Sequence, residues 1–488
     1  MRVLMIPAFN VVDGRLEPYV PYGLLALQSL VMDSTRTTID IAFPSETMLS
    51  TKFRSSEELV EVFLSTTDTD CFDVFGVSTV CNSAHYSIDI ASKLKQKYPS
   101  SLIVLGGPFV TKLSARILEA FEFVDGVFTG EGEVSFRDFI SRPFIKAEPF
   151  LGLGGVKNRR HPFVSGGIVE DLDDLPFITR SLDYFKWLNL VRKHLPEGAA
   201  APLEATRGCP LKCSFCSTKQ VWGAQVRRKS AKRLVEEMSS ISNVTGDKFF
   251  SFIGDNMGVP RNPFMHFCDD MISENSAFTW GCSLKLDKLD EMHLAKMWQA
   301  GCRAMFIGVE SASQSTLDKV NKAASLEKEI SMIRMAIDIG FQVETSFIIG
   351  FPWETEAEVR QTYELHCDLL KSGANRSQVG VLCPIPGTEI VSGHEVVFDG
   401  WTSYVAQDDV PLSDFHSRMV EEYPDLFSHF GHYETPNISR VLLKAYRDAS
   451  TQFAQLYVRQ RKMKQTIEQH NHGRTPSGRS EGKAHGEI

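Results

Sequence analysis

The chain has 488 residues, 43% hydrophobic and 23% charged, a length that points to about two to four domains with cores large enough to fold without staples. A formal net charge of −9 offers no electrostatic footprint for a polyanion, so no nucleic-acid partner is expected. No apolar run approaches the roughly 20 residues that span a bilayer, and Pro7, Asn10 and Asp13 interrupt the apolar start, so neither a membrane span nor a signal peptide is expected.

From residue 1 to about 140, β-branched runs (RVLMIPAF, TTIDIAFP, VFGVST, LIVLGG, GVFTG) alternate with amphipathic stretches such as YGLLALQSLVMD. That rhythm predicts an α/β domain with a Rossmann-like or flavodoxin-like parallel sheet. Such sheets bind ligands beyond the carboxyl ends of their strands, where this chain places Ser78-Thr79, Gly106-Gly107-Pro108 and Gly130-Glu131-Gly132-Glu133. Residues 141–200, with Gly-rich and acidic turns, read as a connecting segment wrapped on the surface. From 201 to about 390 a second series (LEAT, DKFFSFIGD, FTWGCSL, AMFIGVE, QVETSFIIG, QVGVLCP) gives about six βα units, which fit a partial (β/α)6 TIM-type barrel. Residues 391–472 read as mainly helical. Residues 473–488 form a tail too polar to order itself, and His470 and His472 beside it are a metal pair or, more simply, frayed-end histidines. The basic run RRKSAKR at 227–233 reads as a solvated helix start.

Ten cysteines in such a chain suggest core thiols plus a metal site in a reducing, cytoplasmic compartment. EATRGCPLKCSFCST follows the first strand of the second series, so its loop lies at the strand-end mouth and presents Cys209, Cys213 and Cys216. A [4Fe–4S] cluster normally takes four thiolates, and a tight loop supplying three leaves one iron open for a ligand. Zinc is the rival, although no second CxxC pair exists to complete its site. Cys268, Cys282, Cys302 and Cys367 sit in apolar contexts and read as core.

The CxxxCxxC spacing with an aromatic, Phe215, before the last cysteine resembles the radical SAM superfamily. The resemblance implies that S-adenosylmethionine chelates the open iron and is cleaved to a 5′-deoxyadenosyl radical that abstracts hydrogen from substrate. It also implies that Phe215 lies beside the adenine, that Glu310 and Ser311 in FIGVES hold the sugar, and that Gly350 in SFIIGFPWET lets the backbone approach the adenine. Asp255 would hold the methionyl amine, although GDN departs from the family's usual second-strand motif. Lys285 pairs with the methionyl carboxylate or is a surface lysine at a helix start.

The stretch LIVLGGPFVTKLSARILEAFEFVDGVFTGEGE resembles the cobalamin-binding domain fused to many enzymes of that superfamily. By that resemblance Ser78, Thr79, Gly106, Gly107, Pro108, Gly130, Glu131 and Gly132 would contact cobalamin. No Asp-x-His-x-x-Gly run occurs there and His85 is the domain's histidine, so base-off, His-off binding is implied; the alternative is a domain that has lost its ligand. The two resemblances together imply a methylase of an unactivated carbon or phosphorus in a biosynthetic small molecule or peptide, drawing electrons from a donor such as flavodoxin or ferredoxin. Methylthiolation needs three further N-terminal thiols, and that region has Cys71 and Cys81 alone; an auxiliary C-terminal cluster is excluded because no cysteine follows Cys383. Cyclisation or rearrangement without methyl transfer, and a non-catalytic cluster sensor, remain open.

Overall fold

The computed structural model describes residues 1–32, 37–142, 148–161, 163–194, 200–401 and 410–472, with the backbone alone at 462 and 464–472. The tail at 473–488 and the side chains of His470 and His472 lie outside the described residues.

The first five apolar runs become β1 (Arg2–Ile6), β2 (Thr38–Ile41), β3 (Val74–Ser78), β4 (Leu102–Gly106) and β5 (Gly126–Phe128). They pair in parallel in the order β2-β1-β3-β4-β5. Alternate residues of one strand serve two different cores, because helices cover both faces of a parallel sheet. Val3, Met5, Val74 and Val104 pack on one face, and Leu4, Ile6, Phe75, Val77, Ile103 and Leu105 on the other. The covering helices are α1 (Tyr22–Ser29), α2 (Ser56–Thr66), α3 (Ala84–Lys97), α4 (Pro108–Ala120) and α5 (Gly132–Ser141).

Residues 141–200 differ from the surface connection read from their composition. They contribute β6 (Val156–Lys157), which adds to β5 antiparallel, and α6 (Tyr184–His194), whose Tyr184, Trp187, Leu188 and Val191 are buried. The i, i+3, i+4, i+7 spacing of those four residues explains the helix.

The second sheet follows. Its strands are β7 (Ala201–Glu204), then, after a short antiparallel pair β8 (Thr206–Arg207) and β9 (Arg227–Arg228), β10 (Phe249–Ile253), β11 (Thr279–Ser283), β12 (Cys302–Glu310), β13 (Gln342–Ile349) and β14 (Arg376–Val381). The six long strands are parallel and neighbour one another in chain order, β7-β10-β11-β12-β13-β14. Between them run α7 (Thr218–Trp222), α8 (Ala231–Thr245), α9 (Arg261–Ser273), α10 (Glu291–Gln299), α11 (Leu326–Ile339) and α12 (Glu356–Lys371). α12 begins with a full capping box, Thr355 bonding the Glu358 amide while Glu358 returns to the Thr355 amide.

The chain closes with α13 (Asp414–Glu422) and α14 (Arg440–His472). α13 and the residues after it pack on the first sheet's helices, with Phe427 on Phe109 and Phe430 on His85. Among the described residues no helix is long and apolar enough to cross a membrane.

Candidate metal and cofactor centre

The cysteine loop leaves the sheet at β8 and returns at β9, whose pairing of Thr206 with Arg228 and Arg207 with Arg227 closes its base. Gly208 turns the chain into the loop at φ +91°, and a Cβ there would stand 2.1 Å from the Gln225 carbonyl oxygen, so only glycine fits. Backbone bonds then hold the loop in place. The Cys209 amide donates to the Gly223 carbonyl at 3.2 Å, Ser214 donates to Val320 at 2.9 Å, and Ile390 donates to Ser214 at 3.1 Å.

Cys209, Cys213 and Cys216 all line one cavity of about 460 Å³ at the carboxyl ends of the second sheet's strands. Burial raises the Cys209 thiol and pushes Cys213 up to about 11, with the Lys322 ammonium acting against it. A metal cation at these sulfurs would reverse that balance and hold them as thiolates. Among the described residues no fourth cysteine lines the cavity.

Phe215, Asp255, Lys285 and Glu310 line the same cavity. Phe215 meets Phe351 edge-on, with ring centroids 6.3 Å apart. Asp255 sits on the rim, where it accepts a 3.0 Å hydrogen bond from Thr218, and burial of its surroundings raises its carboxyl above the usual range. Lys285 is not the surface lysine its context suggested: it is 5% exposed, paired with Asp287 at 2.9 Å. Glu310 ends β12 in the left-handed region at φ +71°, just past a register shift between Gly308 and Glu310. That bulge swings the Glu310 carboxylate back over the strand, so that a Cβ on Gly308 would lie 2.3 Å from its Oε1. Oε1 receives the Lys322 ammonium at 2.8 Å. Burial disfavours the charge of Lys322, and the Glu310 carboxylate outweighs that, so the lysine stays protonated above its ordinary range.

Ser311 and Gly350 are not brought to this cavity. Ser311 is fully buried and faces Glu354 and the Ser313 amide. Gly350 lies beneath Val381 and Leu443 and donates its N–H to Glu354 at 2.7 Å. Lys322 and Asn256, which line the cavity, were missed from the sequence; Lys322 stands in a turn beyond Gln314–Lys319, with no motif to mark it.

At the first sheet, a second cavity of about 640 Å³ opens between the end of β5 and the part of the cysteine loop beyond Gln220. Of the eight first-domain residues proposed from the sequence, Gly130 and Glu131 line it. The other six do not. Ser78 accepts a bond from Ser87, Thr79 is fully buried with its hydroxyl on the Gly106 carbonyl, Pro108 opens α4 after Gly107, and Gly132 packs toward Leu27. At the β1/β3 switch point, Phe9, His85, Leu412 and Phe430 converge and leave only about 10 Å³. Glu131 is no free ligand either: two arginines hold its carboxylate. The basic run at 227–233 is corrected by the same contacts. Arg227 grips Glu131, and Lys229 is buried on Glu237 at 2.8 Å, so these charges are internal ion pairs.

An uncharacterized methyltransferase of Pyrococcus horikoshii is 24% identical over 77% of this chain and 85% of its own length. The anaerobic magnesium-protoporphyrin IX monomethyl ester cyclase of Rubrivivax gelatinosus is 26% identical over 66% of this chain, which spans 58% of that relative. The fold is similar to that of the radical S-adenosylmethionine methyltransferase TsrM of Kitasatospora setae, solved with tryptophan and a SAM analogue, at a TM-score of 0.66 and 14% identity over 92% of this chain and 88% of that one. Residues 203–366, which carry the three cysteines and all of their cavity's lining but Glu389, match the family model of the radical SAM superfamily, and the chain is an enzyme that carries this domain.

Proposed function

We propose that the protein is a cobalamin-dependent radical SAM methyltransferase of a small molecule or peptide, built from a Rossmann-like domain and a partial (β/α)6 barrel. The observation that carries this reading is the single cavity lined by the three thiols together with Asp255, Lys322 and Glu310. A [4Fe–4S] cluster on Cys209, Cys213 and Cys216 would supply the electron that cleaves S-adenosylmethionine, and cobalamin the methyl group for transfer to an unactivated carbon or phosphorus.

The chain's own groups suit that ligand. The methionyl end of S-adenosylmethionine carries an ammonium and a carboxylate, which the Asp255 carboxylate and the buried Lys322 ammonium complement. Lys285 is a second cation for that carboxylate, held by Asp287. Glu310 orients Lys322 through Oε1 and keeps Oε2 for a sugar hydroxyl, while the Phe215 ring offers an aromatic face to the adenine. Ser311 and Gly350 shape the strand ends behind these groups through Glu354.

Cobalamin suits the larger cavity better than the switch point. Gly130, Gly166, Gly167 and Gly223 expose backbone to a broad ligand, and Thr111, Thr129, Ser165 and Gln225 offer polar partners for an amide-fringed rim. The two cavities share Gln220, so ligands in them would be neighbours. A reducing cytoplasm and a flavodoxin or ferredoxin donor go with the cluster.

Anaerobic reconstitution with iron, sulfide and cobalamin, followed by assay for 5′-deoxyadenosine and S-adenosylhomocysteine, tests the reading. Both products are expected; absence of 5′-deoxyadenosine where a control enzyme forms it refutes it. The 26% identity to a cyclase favours a second reading, cobalamin-assisted rearrangement without methyl transfer. Product mass separates the two, since methylation adds a CH₂ unit.

A further inference from the structure

The first domain reaches the base of the cysteine loop through a buried ion network. Arg207, two residues before Cys209, donates to Glu204 at 2.8 and 2.9 Å, to Glu131 at 3.0 Å and to Glu133 at 2.5 Å. Arg227, opposite Arg207 in the β8–β9 pair, donates from Nη1 to the same Glu131 at 2.9 Å and from Nη2 to its other oxygen. The Val169 amide adds a third donor to Glu131 Oε2 at 3.0 Å. Side chains of Arg207, Arg227 and Glu131 are 3%, 4% and 1% exposed, so water supplies no alternative partners. Trp222, in α7 within the loop, lies against Arg207 at 5.0 Å and gives its carbonyl to Arg227.

A carboxylate that merely joined two domains could bind any surface arginine. Glu131 instead binds the two residues that close the loop carrying the thiols, and one side of it faces the 640 Å³ cavity. A shift of Glu131 must therefore move the β8–β9 pair, and with it Gly208, Cys209 and α7. We propose that Glu131 is a positioning residue, through which the first domain sets the placement of the three thiols and couples them to whatever fills the neighbouring cavity.

This inference rests on the cluster reading above, and its test separates the two. The full chain is reconstituted anaerobically as the unsubstituted protein, as E131Q and as the double variant E131L/R227L. The double variant removes a buried pair together, a change that buried ion pairs tolerate, and it leaves Arg207 balanced by Glu204 and Glu133. Iron content, thermal midpoint, the electron paramagnetic resonance spectrum of the reduced cluster with and without S-adenosylmethionine, and SAM affinity are read on each. Positioning requires that a variant with the unsubstituted protein's iron content and midpoint nonetheless shows an altered SAM-dependent spectrum and roughly tenfold weaker SAM binding. Unchanged spectrum and affinity in either folded variant overturn the proposal. If both variants fail to fold, amide exchange across 208–226 in E131D, which keeps the charge but shortens its reach, decides: exchange as in the unsubstituted chain overturns it, and faster exchange confined to that loop supports it. Failure of the unsubstituted protein to take up a cluster overturns the cluster reading, and this one with it.

Discussion

Glu354 gives a prediction whose sign and size both follow from the structure. Its side chain is 0% exposed, and burial pushes its carboxyl from 4.5 up to about 7 although the Gly350 and Phe351 amides both donate to Oε2. The folded state therefore binds this proton more tightly than the unfolded chain does, so stability contributed here is full below about pH 4.5 and is lost as pH rises through about 7. A shift of that size corresponds to about 3 kcal/mol at 1.36 kcal/mol per unit. Glu354→Gln needs no proton: its amide oxygen accepts the two backbone N–H groups and its amide nitrogen faces the Ser311 hydroxyl. Urea titrations of both proteins between pH 5 and pH 8 provide the assay. Relative to its value at low pH, the advantage of E354Q is expected to be about 1 kcal/mol near pH 5 and up to about 3 kcal/mol at pH 8. A difference independent of pH, or a less stable E354Q at pH 8, refutes the reasoning. Glu329, also raised to about 7 by burial, is present in both proteins and cancels from the comparison.

Gly208→Ala is expected to cost about 2–4 kcal/mol in loop closure, from left-handed strain and the 2.1 Å approach to the Gln225 carbonyl; iron uptake should fall at least tenfold while far-ultraviolet dichroism stays unchanged. Glu310→Gln leaves the Lys322 ammonium buried beside a neutral amide and should destabilise the protein by about 3–5 kcal/mol, measurable as a lower thermal midpoint; replacing both residues with methionine should recover most of the loss yet still weaken SAM binding. Replacing Cys209, Cys213 and Cys216 with alanine should abolish iron binding and 5′-deoxyadenosine formation together. Anaerobic chelation of iron should leave dichroism unchanged, because the loop is also held by backbone bonds to Gly223, Val320 and Ile390.

The strands were legible where a local pattern carries the physics. In β3, Val74 to Val77 are all buried, and a run buried on both faces reads as continuous apolar sequence. The cysteine loop was legible because three thiols within eight residues must share one short stretch of chain, and all three line one cavity. α6 was visible in the spacing of Tyr184, Trp187, Leu188 and Val191, but the Gly-rich and acidic turns before it drew the whole segment into a surface reading. Lys285 and the 227–233 run were misread for one reason. Asp287 stands two residues from Lys285 and Glu237 eight from Lys229, but that both pairs are buried, and that Glu131 reaches Arg227 from the first domain, are tertiary facts that no local window contains. Ser311 follows Glu310 in sequence, yet the bulge turns Glu310 into the cavity and leaves Ser311 facing Glu354.

The placement of the two cavities side by side depends on two sets of contacts that do not share residues. The first is the Glu131 network at the loop base. The second is the segment around α13, where Ser56 of α2 receives the Ser413 amide at 2.9 Å and bonds His416, while Ser428 donates to the Pro384 carbonyl beyond β14 at 2.6 Å. α14 braces the second sheet itself, its Ser450 carbonyl meeting His366 of α12 at 3.2 Å and its Leu443 covering Gly350. A buried charge network stabilises a structure only when every partner is in place, so it makes the relative position of the sheets determinate rather than merely favourable. The C-terminal segment around α13 bridges from α2 to the residues after β14 and so adds a second tie between the sheets. Lys212, Lys219 and Glu389 line the 460 Å³ cavity and are exposed, so these three side chains face whatever approaches the thiols while the two ties hold the sheets in place.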